Sequence, residues 1–220
     1  MRTRFTSNQL KLLALVTMTV DHIGVQLFPG VLWLRIVGRL AFPIYAYMIA
    51  EGCAHTRNRK KYLLQLAGMA LLSQLVYFFA MGSLFQCILV TFTLSILTIY
   101  ALKSPVVWHA PAALLAVLFF TELLPLLLPS TDYAVDYGLL GVLLPVAVWL
   151  GKTHRQKLLL TAILLCLLAL DFGGVQWFSL VALFPLALYN GQRGSTRLKS
   201  LFYWYYPLHL AALYGISLLL

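Results

Sequence analysis

Long apolar runs separated by short polar segments make up almost the whole chain. A helix needs about 20 apolar residues to cross the hydrocarbon core of a membrane, and fewer when its flanking side chains reach the interface. Backbone polar groups find no water partners in lipid, so the pattern predicts helices as the spanning elements. The runs predict about nine spans, near residues 10–28, 31–52, 62–81, 85–102, 107–128, 135–150, 157–171, 174–190 and 200–219. The seventh and eighth are short and could be half-inserted or re-entrant.

The polar segments between these runs alternate in charge. Lys and Arg occur before the first span and after the second, fourth, sixth and eighth, whereas the intervening segments hold none. Because cytoplasmic loops carry an excess of Lys and Arg, this alternation predicts a cytoplasmic N-terminus and a C-terminus on the outer side. We expect a single domain over residues 1–220, since no polar stretch is long enough to form a second one.

Composition then narrows the class of protein. Hydrophobic residues make up 62% of the 220 residues, charged residues make up 10%, and the mean hydropathy is +0.89. Soluble domains carry about 25% charged residues, so these values favour an all-α, polytopic integral membrane bundle. The net charge of +10 does not indicate nucleic-acid binding, because the cations lie in short segments between apolar runs. No CxxC or HExxH spacing occurs, and we expect no metal site.

Ionisable side chains inside the predicted spans are candidates for function, because a charge within a bilayer is costly. Lys11 and His22 lie close to three helical turns apart. They therefore fall within roughly 20° of each other on one helix face, about 16 Å apart along the axis. This arrangement suits a long ligand with an anionic head at the cytoplasmic surface and a reactive tip inside the protein, and acetyl-CoA has that shape. The alternative is that Lys11 only anchors the helix while His22 packs against a neighbour.

Asp21 and two arginines of the second span form another group of candidates. Asp21 directly precedes His22, and adjacent helix residues do not face each other, so Asp21 is not expected to orient that imidazole. Arg39 could neutralise Asp21 in a structural ion pair, or stabilise negative charge on a thioester oxygen. Arg35 lies one turn nearer the outer side, where it could reach Asp136 or an incoming substrate.

Proline residues accompany two of the candidate segments. Pro43 in the second span cannot donate a backbone hydrogen bond, which predicts a kink that borders a cavity or another helix. Pro207 lies two residues before His209 in the last span and predicts a second lined cavity. The alternative is that His209 only packs against its neighbours, as a lone histidine in a helix more often does. The basic loop containing Arg57 and Asn58 could bind the phosphates of CoA, or could only set membrane orientation.

Several stretches together resemble the TraX family, whose named member is the conjugative pilin acetylase. They run in family order over nearly the whole chain: Leu10-Lys11 to Asp21-His22-Ile23-Gly24, Gly38-Arg39-Leu40-Ala41-Phe42-Pro43-Ile44-Tyr45, Glu51-Gly52, Thr56-Arg57-Asn58, Lys61-Tyr62-Leu63, Phe92-Thr93-Leu94, Asp136-Tyr137-Gly138 and 202–210. The chain is more distantly similar to the membrane acyltransferase-3 group, in which an arginine, ten residues and a histidine occur in the first helix. Lys11 and His22 match this spacing, but lysine lacks the planar, bidentate donor fork of arginine.

The resemblance implies an acetyl-CoA-dependent N-acetyltransferase in the bacterial cytoplasmic (inner) membrane. Its co-substrate would be acetyl-CoA, and its acceptor would be the N-terminal amine of a pilin-like membrane protein. The candidates then sort into catalytic residues (His22, Asp21, Arg39), acetyl-CoA-binding residues (Lys11, Arg57, Asn58) and substrate-binding residues (Arg35, Asp136, His209). Two alternatives stay open: an O-acetyltransferase acting on a cell-envelope glycan, and a non-enzymatic membrane transporter or assembly scaffold.

Overall fold

The protein is all-α, as the apolar pattern predicts. A computed structural model describes residues 4–194 and 199–219, and these contain isolated β-bridges but no strand. The α-helices are α1 (Ser7–Gln26), α2 (Leu32–Gly38), α3 (Ala41–His55), α4 (Arg59–Met81), α5 (Ile88–Leu102), α6 (His109–Leu118), α7 (Leu124–Leu127), α8 (Gly138–Leu150), α9 (His154–Phe172), α10 (Leu183–Ala187) and α11 (Lys199–Ser217). A π-helix (Phe119–Leu123) joins α6 to α7, and a 3₁₀-helix (Gly174–Ala182) precedes α10.

The helices are consistent with a membrane bundle. Three helical stretches of the described residues are long and apolar enough to cross a membrane, namely Leu32–His55, Arg59–Phe79 and His109–Leu127. Shorter apolar helices occupy Ile88–Leu102, Gly138–Leu150 and Gly174–Ala187. The helical membrane fold is thus confirmed, and the number of nine spans stays a prediction.

The second predicted span is broken, and the break does not lie at its proline. Helix α2 ends at Gly38, and α3 begins at Ala41. Pro43 is the third residue of α3, a position whose backbone N–H needs no partner inside the helix. A proline ring also clashes with the carbonyl four residues earlier, which here belongs to Arg39. The chain therefore breaks at Arg39 and Leu40, and Arg39 caps the end of α2.

Two other predicted spans contain irregular helix. In the fifth, the helix widens to a π-helix over Phe119–Leu123, where Pro125 cannot donate to the carbonyl of Thr121. In the eighth, Gly174–Ala182 forms nine residues of 3₁₀-helix, a run much longer than this geometry usually sustains. The eighth predicted span is thus a 3₁₀-helix followed by the short helix α10, rather than one α-helix.

The chain divides into two compact units. The first unit combines the chain up to Met48 with the chain from Gly151 onward, and in it α1 packs against α2 and α11. The 3₁₀-helix of this unit packs against α2 and α9. The first unit therefore brings together the early segment that contains His22 and Arg39 and the late segment that contains His209.

The second unit covers Ile49–Leu150 and is built around α5. Helices α4, α6 and α8 all pack against α5, which buries much of its surface. The core includes Leu94, Val117, Val135 and Val142. Ser95 on α5 donates to the Val142 carbonyl of α8 over 2.8 Å, so a buried hydroxyl links the two helices.

Candidate active site

A carboxylate shared by two arginines lies where α1 meets α2. Asp21 accepts from Arg35 Nη1 at Oδ2 over 2.7 Å and from Arg39 Nη2 at Oδ1 over 2.8 Å. The Asp21 and Arg39 side chains are 14% and 12% exposed, whereas that of Arg35 is 29% exposed. The structure thus forms the Asp21–Arg39 ion pair anticipated from the sequence and adds Arg35 to it.

Small residues let α1 and α2 approach closely enough for these ion pairs. A Cβ atom at Gly38 would overlap the Asp21 carboxylate. A Cβ at Gly24 would lie 2.8 Å from the Leu34 Cβ, which is also too close. Glycines at helix interfaces commonly serve this purpose in membranes. The packing of the two helices therefore depends on the absence of side chains at these positions.

The 3₁₀-helix adds a polar face that the sequence analysis missed. Arg39 Nη1 donates to Gln176 Oε1 over 3.3 Å. Because a 3₁₀-helix has three residues per turn, Gln176 and Ser179 lie on the same face, and both are buried. Among the described residues, Gln176 Nε2 and Ser179 Oγ have no hydrogen-bond partner. The sequence signal for this face is the presence of two polar residues, Gln176 and Ser179, three positions apart within an apolar run.

The histidines of α1 and α11 form a direct hydrogen bond. His22 Nδ1 lies 2.7 Å from His209 Nε2, and the two rings are nearly parallel with centroids 4.9 Å apart. His209 Nδ1 lies 2.9 Å from the backbone carbonyl of Tyr205. His209 is buried at 7% exposure, whereas His22 is partly exposed. Residues predicted for catalysis and for substrate binding thus form one pair.

Tyrosines hold this pair from two sides. The Tyr205 ring stacks on His209 with centroids 5.1 Å apart, and Tyr206 meets both imidazoles edge-on. The hydroxyl of Thr19 donates to the Leu15 carbonyl, so the Tyr205 hydroxyl is the donor in its own 2.7 Å bond to Thr19. Helices α1 and α11 are therefore joined by a second polar contact, one turn from the imidazole pair.

Lys11 faces the same helix as His22. Its Nζ lies 5.6 Å from the centroid of the Phe202 ring, within the range of a cation–π contact. Phe202 and His209 are two turns apart on α11, which puts them on one face of that helix. Both ends of the predicted Lys11–His22 stripe therefore lie against α11.

The remaining predicted site residues belong to the second unit. Arg57 and Asn58 are exposed, and Asn58 Oδ1 caps α4 by accepting from the Lys61 backbone N–H over 2.8 Å. Asn58 and Lys61 line an open pocket of about 390 Å³ together with Lys60, Leu64 and Gln65. Lys60 and Lys61 give this pocket a positively charged rim.

Asp136 precedes a strained turn at the start of α8. Its carbonyl accepts from the Thr91 hydroxyl over 2.8 Å, and its N–H donates to the Gln86 carbonyl. Tyr137 follows with φ of 58°, a left-handed conformation that is unusual for a non-glycine residue. The strain at Tyr137 lies in one of the segments that carry the family resemblance. Arg35, which could have reached Asp136, pairs with Asp21.

Two loops of the second unit are joined by hydrogen bonds to Asp132. Asp132 accepts from the Ser83 hydroxyl and, over 2.9 Å, from the Leu84 backbone N–H. The hydrogen bond from Ser83 has the larger effect and that from Leu84 the smaller one, and together they hold the pKa of the Asp132 carboxyl below its ordinary value. The described residues contain no group of three His, Cys, Asp or Glu side chains arranged to bind a metal ion.

These features define a helical membrane protein in which helix α1 contributes one histidine to an imidazole pair and the carboxylate to a cluster with two arginines. The chain belongs to the TraX family: the profile of the TraX protein family matches residues 6–217. No solved structure matches the chain.

Two curated relatives match parts of the chain. A probable fimbrial assembly protein FimC (serogroup H1) of Dichelobacter nodosus is 35% identical over 77 residues, which is 33% of this chain and 32% of that protein. The uncharacterized protein RP591 of Rickettsia prowazekii (strain Madrid E) is 47% identical over 38 residues, 17% of this chain and 15% of that protein. The matched regions thus span a third or less of these relatives.

Proposed function

We propose that the protein is an acetyltransferase of the bacterial inner membrane. It moves an acetyl group from cytoplasmic acetyl-CoA to the N-terminal amine of a pilin-like membrane protein. The observation that carries this proposal is the imidazole of His22, a partly buried residue, which is bonded at Nδ1 to the buried residue His209. An imidazole held in this way can act as a general base, because its other ring nitrogen can accept a proton.

The chemical step requires a base because an ammonium group is not nucleophilic. His22 takes a proton from the acceptor, and the amine nitrogen attacks the thioester carbonyl carbon. The new C–N bond forms, the C–S bond breaks, and the proton on His22 passes to the leaving thiolate of CoA. The ammonium group loses two protons on becoming an amide: one is the proton that His22 passes to the thiolate, and the other is released to water. The products are an N-acetylated chain, CoA with a free thiol and one released proton, so atoms and charges balance.

The ion-pair cluster has a positive formal charge. Two guanidinium groups face one carboxylate, so the summed charge of Arg35, Arg39 and Asp21 is +1. A positive group near the reacting carbonyl stabilises the oxyanion that forms when the amine attacks. Arg39 fits this role because it is held by Asp21 and by Gln176. Asp21 then acts by fixing the arginines rather than by orienting His22.

Lys11 supplies a cation on the same face of α1 as His22, and in this proposal it contacts a phosphate of acetyl-CoA. Its side chain is partly exposed, and its ammonium group lies over the Phe202 ring. That Arg57 and Asn58 bind acetyl-CoA stays a prediction from the sequence. Asp136 and His209 were expected to bind the acceptor, and the contacts of His209 favour a different role, described below.

Family membership and the fimbrial assembly relative support a role in pilus formation or conjugation. The proposal of a pilin-like acceptor therefore rests on the family and on this partial match, whereas the proposal of a histidine base rests on the contacts of His22.

Purified full-length protein in lipid nanodiscs tests the activity directly. We expect transfer of radiolabelled acetyl from acetyl-CoA to a membrane-anchored pilin peptide with an unblocked N-terminus. His22→Ala should abolish transfer, and His109→Ala should retain it because His109 is exposed at the start of α6. Transfer by the His22→Ala variant at the wild-type rate would refute the mechanism. Transfer to glycan hydroxyls instead of the amine would favour an O-acetyltransferase.

Binding of the co-substrate separates an enzyme from a transporter or scaffold. Acetyl-CoA should raise the melting temperature of the protein in detergent, because a ligand that binds only the folded state stabilises it. Lys11→Ala should shrink this increase, whereas Lys152→Ala, an exposed lysine, should not. An unchanged increase in Lys11→Ala would exclude Lys11 as a phosphate contact, and no increase in the wild type would favour a transporter or scaffold.

A further inference from the structure

A chain of two hydrogen bonds runs from the backbone of α11 to His22. It begins at the Tyr205 carbonyl, passes through both ring nitrogens of His209, and ends at His22 Nδ1. The two links measure 2.9 Å and 2.7 Å, which are ordinary hydrogen-bond lengths.

The carbonyl at one end fixes where the protons lie. A carbonyl oxygen only accepts, so His209 Nδ1 must be the donor in its bond to Tyr205. A neutral imidazole with its proton on Nδ1 has a lone pair on Nε2. His209 Nε2 is therefore the acceptor in the bond to His22, and His22 Nδ1 must be the donor. Both histidines thus carry their proton on Nδ1, and the lone pair of His22 lies on Nε2.

Neighbouring rings prevent His209 from turning to another arrangement. Tyr205 stacks on one face of its ring, with an interplanar angle of 12°, and Tyr206 packs against it edge-on. The Tyr205 ring is in turn tied to α1 through its hydroxyl bond to Thr19. Because His209 is also almost fully buried, its ring nitrogens are occupied by Tyr205 and His22 rather than presented to a substrate.

The same geometry remains satisfied when His22 takes up a proton. Protonation at His22 Nε2 leaves Nδ1 as a donor, so the bond to His209 persists and becomes charge-assisted. Among the described residues, no group bonds to His22 Nε2, and His22 as a residue is less buried than His209. One imidazole can therefore gain and lose a proton while the other keeps its protonation state.

We propose that His209 is a positioning residue that holds His22 in the Nδ1–H tautomer, which makes Nε2 the nitrogen that accepts the proton during acetyl transfer. The assignment of the base rests on the proposed function. The tautomer itself does not, because it follows from the contacts in the absence of any substrate.

Nitrogen NMR of the full-length chain tests the tautomer without reference to activity. The protein is labelled with ¹⁵N-histidine and studied in nanodiscs, and the His22 signals are assigned by their loss in His22→Gln. We expect His22 as the Nδ1–H tautomer, although neutral histidine in water favours Nε2–H. Finding His22 as Nε2–H in the wild type would overturn the proposal, whatever the protein's activity.

Two substitutions at position 209 then separate positioning from packing. In His209→Gln, the amide oxygen can accept from His22 Nδ1–H, whereas His209→Leu fills the space without an acceptor. We expect His209→Leu to lower kcat by on the order of 100-fold with little change in KM for acetyl-CoA, because the wrong tautomer is costly in such pairs. The kcat of His209→Gln should be at least about tenfold higher than that of His209→Leu, and His209→Gln should keep the Nδ1–H signal of His22.

The outcomes distinguish the two levels of the proposal. Equal kcat values for His209→Leu and His209→Gln, both folded, would overturn the positioning role. If no variant and no wild type transfers acetyl, the proposed function fails while the tautomer is still decided by NMR. If His209→Leu does not fold, the wild-type tautomer and the His209→Gln spectrum remain the deciding measurements.

Discussion

Asp21 joins α1 to the arginines of α2 and its C-cap. Each of its two carboxylate oxygens accepts a hydrogen bond from a different arginine, Oδ2 from Arg35 and Oδ1 from Arg39. A charge at membrane depth is tolerated when it is paired in this way. Removing one partner of such a pair is expensive because the other charges lose their compensation.

Replacing Asp21 by Asn should therefore destabilise the protein by about 2–3 kcal/mol, at the lower end for a buried pair because Arg35 is 29% exposed. The free energy of unfolding can be measured by denaturant titration in mixed micelles. Asp171→Asn is the matched control, since Asp171 is exposed at the end of α9, and it should change stability by less than about 0.5 kcal/mol. Equal effects of the two substitutions would show that the ion pairs contribute little.

The contacts of individual residues show what helical spacing in the sequence can and cannot predict. Helical periodicity placed Lys11 and His22 on one face, and both lie against α11. The pairing of His22 with His209 could not be derived, because 187 residues separate them and nothing in the local pattern specifies which late helix packs on α1. Gln176 was missed for the same reason, since its contact with Arg39 spans 137 residues.

At the scale of helices, the apolar pattern predicted the regular elements well and the irregular ones poorly. Pro43 indicated a disruption in the second predicted span, but the break falls at Arg39 and Leu40 because the proline ring conflicts with the carbonyl four residues earlier. The 3₁₀-helix at Gly174–Ala182 had no comparable marker, because apolar residues are compatible with either helix type.

Gly38→Ala tests the close approach of α1 and α2. The added methyl group would overlap the Asp21 carboxylate, so the helices must separate or the ion pairs must rearrange. We expect a loss of about 2 kcal/mol in the free energy of unfolding, as for overpacking elsewhere. The control is Gly215→Ala on α11, where a Cβ meets nothing within 4 Å. A Gly38→Ala variant as stable as Gly215→Ala would contradict the observed packing.

The contact between two loops of the second unit should depend on pH. Hydrogen bonds from Ser83 and Leu84 lower the pKa of Asp132 in the folded state, so the contact stabilises the fold above the unfolded-state pKa and is lost as pH falls through the folded-state pKa. The melting temperatures of wild type and Asp132→Asn should therefore differ near neutral pH, begin to converge once the pH falls below about 4, and meet only below the lowered folded-state pKa. A difference that stays constant on acidification would show that the carboxylate charge does not matter.

At the scale of the whole molecule, membrane topology is the largest prediction that remains open. The alternation of basic segments predicts that Arg57 faces the cytoplasm and Asp132 the outer side. Cysteines introduced at these two positions, in a background with the three native cysteines replaced by serine, should react differently with an impermeant maleimide on intact spheroplasts. Asp132→Cys should react at once and Arg57→Cys only after permeabilisation. Reaction of both from outside would overturn the predicted orientation.

The fold class and family extend over nearly the whole chain, whereas the chemistry depends on a few side chains. Composition and apolar periodicity were sufficient to identify a helical membrane protein, because burial in lipid constrains every position of a spanning helix. The site was only partly predictable, since its geometry depends on contacts between helices that are distant in the sequence.

Intact-mass spectrometry of the pilin N-terminus in cells examines the proposed acetyl transfer in its natural setting. A strain lacking the protein is complemented with wild type, His22→Ala or His109→Ala, and the three proteins are matched for membrane abundance. We predict an acetylated pilin N-terminus with wild type and with His109→Ala, and an unmodified N-terminus with His22→Ala. A fully acetylated pilin in cells that contain only the His22→Ala protein would contradict the assignment of His22 as the base.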